Sequence, residues 1–140
     1  MQLSTTEDTE DTEVNKCGCT PLSRRRFSQL RSKSTQLGAG CLESTYGACL
    51  CHQLTTDGIT FAHQVRLPIV YEGIQLDAAY RVDFIVENCV ILEIKAVEKL
   101  LPLHLAQVLT YLKLSRYQVG LLVNFNVPHL RDGIRRVIRD

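Results

Sequence analysis

Two extended segments joined by a short polar break are the feature that most constrains the fold of this chain. Residues 80–86, "YRVDFIV", alternate polar with apolar side chains, and residues 90–95, "VILEIK", are apolar except at Glu93 and Lys95. Alternation with a period of two is typical of a β-strand that has one buried face. We therefore predict a β-hairpin that forms part of a sheet.

The length of the hairpin loop decides whether the charged side chains of the two strands meet. A two-residue turn would place Asp83 and Glu93 on opposite faces of the sheet. A three-residue loop at 87–89 instead pairs Val86 with Val90. In that register Asp83 lies directly opposite Glu93, with about 4.5–5.5 Å between their Cβ atoms. Only this register makes one site, so we predict the three-residue loop.

Asp83, Glu93 and Lys95 are the candidate chemical site of the hairpin. Two carboxylates so close repel each other unless a cation lies between them, and Lys95 offsets only part of that repulsion. Mg²⁺ prefers oxygen ligands, and when bound it acidifies water and stabilises charge on a phosphate. The pattern therefore indicates a magnesium site suited to phosphodiester hydrolysis, in which Lys95 can hold the attacking water or the phosphate oxygens.

A simpler alternative for these residues is a solvated strand pair with a surface salt bridge, because Asp, Glu and Lys are common on exposed faces. Glu93 and Lys95 interrupt the apolar run "VILEIKAV", however, and ionic groups are costly in a buried strand. This favours the functional interpretation. Strict alternation also places Arg81 and Ile85 on the face of Asp83, so Arg81 is a candidate phosphate contact.

Other periodic segments place helices and strands around the hairpin. Asp57-Gly58 is a helix stop in which Gly fits the left-handed conformation, Pro102 suits a first helical turn, and Glu72-Gly73 is a hairpin turn signal. In chain order we predict a helix at 41–56, strands at 60–67 (ending at Pro68), 69–71, 74–76, 79–86 and 90–96, a helix at 102–115, a strand at 118–124 and a short basic element at 134–139. This order is typical of an α/β fold with a mixed sheet.

Size and charge set the limits of the ordered domain. The chain has 140 residues, of which 45% are hydrophobic, and this suits one globular domain. The net charge is +1, but residues 1–16 carry five acids and one base, whereas residues 17–36 carry five bases and no acid. We predict that residues 1–36 are disordered or loosely attached and that residues 37–140 form the domain.

The sequence gives no indication of a membrane-spanning segment. No apolar run approaches the roughly 18 residues that span a bilayer. The N-terminus is acidic and lacks the basic start and apolar stretch of a signal peptide. We predict a cytoplasmic protein with no membrane partner, and the pattern specifies no oligomeric state.

Six cysteines raise the alternative of a structural zinc protein, with close pairs at Cys17 and Cys19 and at Cys49 and Cys51. Cys49 and Cys51 fall in the first predicted helix, where residues two apart point to nearly opposite sides. Without a secretion signal, reduced thiols are expected. We therefore prefer small buried or half-buried thiols to zinc ligands.

Four motifs, in order along the chain, resemble those of one known family. The matching residues of the four motifs are Gly40 to Tyr46 ("GCLESTY"), Asp83, Glu93-Ile94-Lys95, and Gln107 with Tyr111. The C-terminal segment "LVNFNVPHLRDGIRRV" is similar to that of the family as well. The chain resembles the GxxExxY proteins, a branch of the PD-(D/E)XK nuclease superfamily. The resemblance extends from about residue 37 to residue 137.

The resemblance implies a restriction-endonuclease-like core, with elements in the order α-β-β-β-α-β, and a site that uses Mg²⁺ or Mn²⁺. It implies that Asp83 and Glu93 are metal ligands and that the carbonyl of Ile94 is a third donor. Lys95 would be the catalytic lysine, and Glu43 would be a further ligand or a water-orienting base. Gln107 would support the site or contact the nucleic-acid backbone. Arg81 and Tyr111 are candidate nucleic-acid contacts.

Two functions therefore compete. The first is a metal-dependent nuclease that hydrolyses DNA or RNA phosphodiester bonds. The alternative is a non-catalytic module of the same fold that binds nucleic acid or a protein partner. The family usually has a long amphipathic helix before its Gly-rich loop, whereas residues 22–36 are basic and poor in apolar side chains, and this departure favours the alternative. Residues 24–33 would then act as an arm that binds phosphate non-specifically.

Overall fold

The computed structural model describes residues 38–139, apart from the side chains of residues 77–79. Its elements are helix α1 (Glu43–Thr56), strands β1 (Phe61–Tyr71), β2 (Ile74–Val86) and β3 (Val90–Lys95), helix α2 (Pro102–Leu114), strand β4 (Val119–Asn124), a 3-10 helix (Leu130–Gly133) and strand β5 (Ile134–Ile138). Both predicted helices are present within two residues of their expected bounds. The predictions for residues 1–36 lie outside the described residues.

The five strands of the described region form one sheet in the order β1-β2-β3-β4-β5. The pair β3–β4 is parallel, and the other neighbouring pairs are antiparallel. Helix α2 makes the crossover between the two parallel strands, as a parallel connection requires. The predicted α/β fold with a mixed sheet flanked by helices is confirmed.

The core has two parts, one on each face of the sheet. On one face α1 buries Tyr46, Leu50 and Leu54 against a cluster that includes Phe84 and Ile94. These three α1 residues follow the helical spacing of four, so one stripe of the helix faces the sheet. The other cluster, under α2, contains Leu67, Val82, Ile85, Ile91, Val108, Tyr111, Leu112, Leu122 and Val137. Neither helix is long and apolar enough to cross a membrane.

The end of α1 follows its sequence signals. The backbone N–H groups of Asp57 and Gly58 donate to carbonyls of the last turn, and Gly58 has a φ of +69°. The left-handed conformation predicted for this glycine is therefore confirmed. Cys49 is exposed and Cys51 is half-buried. Within residues 38–139, no group of three or more His, Cys, Asp or Glu side chains is arranged to hold a metal ion.

The first hairpin is longer than predicted. Pro68 does not end a strand, because β1 continues through it to Tyr71, with a shift in the pairing register between Pro68 and Ile69. Proline is tolerated there because β1 is an edge strand. The segments predicted at 74–76 and 79–86 are likewise one strand. The turn at Glu72-Gly73 is confirmed, since both residues have a positive φ, as two-residue hairpin loops require.

The basic element predicted near the C-terminus is a strand. Residues 134–138 form β5, an antiparallel edge strand against β4. Its Val137 is fully buried under α2, while its arginines lie at intermediate exposure. A strand of five residues with one fully buried side chain gives too weak an alternation to be recognised in advance.

Candidate active site

The hairpin between β2 and β3 has the predicted register. Val86 pairs with Val90, and the ladder continues to Phe84 opposite Leu92. The loop 87–89 therefore has three residues, and its first two have φ values of 51° and 52°. Asp83 and Glu93 are the next residues along this register, so the hairpin brings them side by side.

Beyond the pair of Phe84 with Leu92, each of the two carboxylates accepts a hydrogen bond from a backbone N–H group of the opposite strand. The backbone N–H of Asp83 donates to Glu93 Oε1 at 2.8 Å, and the backbone N–H of Ile94 donates to Asp83 Oδ2, also at 2.8 Å. Each side chain is therefore held by the opposite strand, and the pair is fixed relative to the sheet.

The two carboxyl side chains also lie close to each other. Each accepts a backbone N–H bond through one oxygen, and the pair lies close enough to share a side-chain hydrogen bond. Carboxylate oxygens are the donors that Mg²⁺ and Mn²⁺ prefer. The donor set of this pair therefore fits a hard divalent cation.

Burial increases the electrostatic repulsion between the two carboxylates. Glu93 is only 3% exposed, and burial, followed by the negative charge of Asp83, raises the pKa of Glu93 to about 8. The backbone N–H of Asp83 and the charge of Lys95 act in the opposite direction. The charged pair is thus under-compensated by the protein alone, and an added cation would relieve it.

Lys95 lies at the end of β3, two residues beyond Glu93. Leu92 and Ile94 pack on the α1 face, so alternation places Glu93 and Lys95 on the face of α2. The half-buried Lys95 side chain makes no ion pair or hydrogen bond with any residue in the described part of the chain. Its ammonium group remains available to an anion beside the carboxylate pair.

The side-chain alternation of β2 breaks at Asp83. Val82 packs with Ile85 on the α2 face, whereas Phe84 packs on the α1 face. Strict alternation would place Val82 and Phe84 on the same face. On the neighbouring strand Gln64, opposite Asp83, has a positive φ of 53°. The sheet is therefore locally irregular at the candidate site.

This irregularity overturns the predicted face of Arg81. Arg81 follows Tyr80, whose ring contacts that of Tyr111 in α2 with 5.5 Å between centroids, so Arg81 points away from α2. Its Nη1 donates to Gln64 Oε1 at 3.5 Å. The prediction that Arg81 shares a face with Ile85 was wrong, because it assumed an unbroken strand.

Glu43 reaches the end of β3 from the first turn of α1. Its Oε1 accepts a hydrogen bond from the backbone N–H of Ala96 at 3.3 Å. The carboxylate of Glu43 thus lies beside the residue that follows Lys95. It does not join Asp83 and Glu93 in one cluster, since no three acidic, His or Cys side chains of the described region converge on a metal position.

Tyr46 fixes the loop that precedes Glu43. Its hydroxyl donates to the carbonyl of Gly38 and accepts from the backbone N–H of Cys41, and its ring stacks on Phe125 at 4.8 Å. Burial raises the pKa of this hydroxyl. Tyr46 is therefore a buried, hydrogen-bonded packing residue, and it ties the start of α1 to the sheet.

Gln107 and Tyr111 lie on α2 and are hydrogen-bonded to each other. Gln107 Nε2 donates to the Tyr111 hydroxyl at 2.8 Å. Burial, together with the charges of Glu93 and Asp83, raises the pKa of Tyr111 to about 12, so the phenol stays protonated near the pair. The spacing of four residues puts both side chains on one helical face, as predicted.

One buried polar residue near the site was not predicted. Asn124, at the end of β4, is only 2% exposed and pairs across the sheet with Lys95. Its carboxamide binds the backbone of Val97 in both directions. The sequence signal was an amide that ends the apolar run "VGLLVN", and an amide at a strand end is common on the surface as well.

Comparison with known proteins identifies the family. No curated protein and no solved structure matches the chain. A model of the PD-(D/E)XK nuclease superfamily matches residues 28–137, which include both helices and all the residues of the candidate site. The chain belongs to the PD-(D/E)XK nuclease superfamily.

Proposed function

We propose that this protein is a metal-dependent nuclease of the GxxExxY branch that hydrolyses phosphodiester bonds in DNA or RNA. The observation that carries the proposal is the carboxylate pair of Asp83 and Glu93, which is locked by reciprocal hydrogen bonds, with Lys95 at the end of the same strand. Superfamily membership supports nuclease chemistry. Two carboxylates for a cation and a lysine on the same strand support this chemistry.

Asp83 and Glu93 would hold Mg²⁺ or Mn²⁺ through their second oxygens, with the carbonyl of Ile94 as a further donor. When bound, such a cation polarises a phosphate oxygen and acidifies a water molecule. Glu43 would act as a further ligand or as the base that orients the attacking water. The hydrogen bond from the N–H of Ala96 to Glu43, beside the end of β3, supports either role.

The remaining residues would bind and orient the substrate. Lys95 would place its ammonium group on a phosphate oxygen or on the attacking water, since it makes no direct ion pair or hydrogen bond with a described residue. Gln107 would hold the phenol of Tyr111 against the carboxylate pair. Arg81, on the other side of β2, and Tyr111 would contact the nucleic acid as it passes the hairpin.

A cleavage assay tests this proposal. Purified protein is incubated with single- and double-stranded DNA and with RNA, in Mg²⁺, in Mn²⁺ and in EDTA. We expect cleavage only with metal, and a loss of about 100-fold or more in Asp83→Asn and Lys95→Ala, as for removal of an electrostatic catalytic group. Lys113→Ala, an exposed lysine at the far end of α2, is the matched control. Cleavage by Lys95→Ala at the rate of the control would contradict the proposal.

A second candidate function is a non-catalytic module that binds nucleic acid or a protein partner. It is favoured by one observation: among the described residues, Glu43 does not converge with Asp83 and Glu93 into a three-carboxylate cluster. Such a module would bind nucleic acid without metal and lose affinity steeply with salt. Binding that is unchanged in Asp83→Ala, together with no cleavage under any metal condition, would support this candidate.

A further inference from the structure

Asn124 forms a buried clamp on the chain segment that leaves the candidate site. Its Oδ1 accepts from the backbone N–H of Val97 at 3.1 Å, and its Nδ2 donates to the carbonyl of Val97 at 2.8 Å. The amide therefore satisfies both backbone groups of one residue, as a neighbouring β-strand would do. It extends the pairing of β3 with β4 beyond the last pair, Lys95 with Asn124.

Asn124 is closely packed on all sides. The side chain is 2% exposed, and a buried amide is tolerated when its polar atoms are hydrogen-bonded. On the other side, a Cβ atom at Gly133 would lie 2.1 Å from the carbonyl oxygen of Asn124. Only glycine at position 133 lets the 3-10 helix pack directly against the backbone carbonyl of Asn124.

The clamp also reaches the loop that carries Glu43. Asn124 Oδ1 accepts a second hydrogen bond, from the backbone N–H of Asn126 at 3.2 Å. The side chain of Asn126 in turn accepts from the backbone N–H of Gly40 at 3.0 Å. One hydrogen-bonded chain thus runs from the segment after β3, through Asn124, to the loop before α1.

The residues held at the two ends of this chain belong to the proposed site. Val97 directly follows Ala96, whose backbone N–H binds Glu43, and Ala96 directly follows Lys95. Phe125, next to Asn124, also donates its backbone N–H to the carbonyl of Lys95 at 2.9 Å. A shift of Val97 would therefore move the anchor of Glu43 and the backbone that carries Lys95.

We propose that Asn124 is a positioning residue of the nuclease site, which acts by holding Lys95 and Glu43 in place rather than by touching the substrate. This inference rests on the proposed nuclease function. Displacement of catalytic groups by about 1 Å can cost about 100-fold in rate. The clamp should therefore affect the turnover of bound substrate more than the binding of substrate.

Steady-state kinetics of two Asn124 variants test this role. Asn124→Leu keeps the size but removes all three hydrogen bonds, and we expect kcat to fall by about 10- to 100-fold while KM changes by less than about threefold. Asn124→Asp keeps both accepted hydrogen bonds, and because burial favours the protonated carboxyl, its O–H can still donate to the carbonyl of Val97. It should recover at least about threefold in kcat relative to the leucine variant.

Val137→Ala is the control for a loss of stability. Val137 is fully buried in β5, where it pairs with Gly120 at the opposite end of β4 from Asn124, and its truncation should lower the melting temperature by about 5 °C or more without changing kcat below that temperature. Asn124→Leu with the kcat of the wild type, or a fall in kcat matched by Val137→Ala, would overturn the inference.

Amide hydrogen exchange tests the clamp independently of activity. We expect Asn124→Leu to remove the protection of the N–H groups of both Ala96 and Val97, whereas Glu43→Ala should expose that of Ala96 only. If Ala96 stays protected in Asn124→Leu, the clamp does not hold the anchor of Glu43 and the inference fails. If the wild-type protein cleaves no substrate, both the nuclease proposal and the positioning role are contradicted. The exchange experiment still shows, independently of activity, whether Asn124 holds Ala96 and Val97.

Discussion

Glu93 carries the strongest conflict between a charge and its surroundings in the described part of the chain. It lies on a buried strand, it faces a second carboxylate, and its pKa rises to about 8 for these two reasons. A purely structural position would be filled at lower cost by an apolar residue, because an under-compensated buried charge destabilises the fold. The position of Glu93 is therefore best explained by an external cation.

The raised pKa of Glu93 makes the stability of the metal-free protein depend on pH. Between pH 4.5 and 8 the unfolded chain loses the proton of Glu93 while the folded chain keeps it, so the free energy of unfolding falls as pH rises through this window. Urea unfolding in EDTA should show a loss of a few kcal/mol from pH 5 to pH 8. Glu93→Gln should remove most of this slope, and an identical slope in the variant would show that other groups cause it.

At the scale of the elements, the distance between α2 and the sheet sets the positions of Gln107 and Tyr111, the two α2 residues that we assign to the site. The helix can approach the sheet closely because β4 has a glycine beneath it. A Cβ atom at Gly120 would lie only 2.6 Å from Val108 Cγ1. Since both residues are fully enclosed, one methyl group at this point would push the helix away from β4.

Gly120→Ala should therefore destabilise the protein by about 1–3 kcal/mol through overpacking. Val108→Ala alone should also destabilise it, because it leaves a cavity. The double variant should be more stable than the sum of the two losses predicts, since the added methyl group occupies the space that the valine leaves. Thermal or urea unfolding of all four proteins measures this coupling, and strictly additive losses would contradict the close contact.

At the scale of the whole molecule, the parts predicted from sequence were those fixed by local patterns. The loop at 87–89 was predictable because only one register makes Asp83 meet Glu93, and Pro102 and Gly58 marked helix ends through their own backbone preferences. The face of Arg81 was not predictable, because it depends on how β1 and β2 pair around Gln64 and Asp83. The continuation of β1 through Pro68 similarly depends on β1 being an edge strand.

The buried clamp at Asn124 belongs to the same class of unpredicted features. An amide at a strand end has no single meaning in sequence, and its partner Val97 lies 27 residues away. The superfamily match covers residues 28–137, so it includes both helices and every strand residue except Ile138, the last of β5. The carboxylate pair, its supporting helix and the clamp therefore form one catalytic framework in the function proposed here.

The most direct test of the central proposal is calorimetric titration of Mn²⁺ into the metal-free protein. We expect the wild type to bind one ion, Asp83→Asn and Glu93→Gln each to weaken binding by about tenfold or more, and Glu98→Gln, an exposed acid just beyond β3, to bind as the wild type does. Binding of the same affinity in Asp83→Asn and the wild type would show that the carboxylate pair is not the metal site.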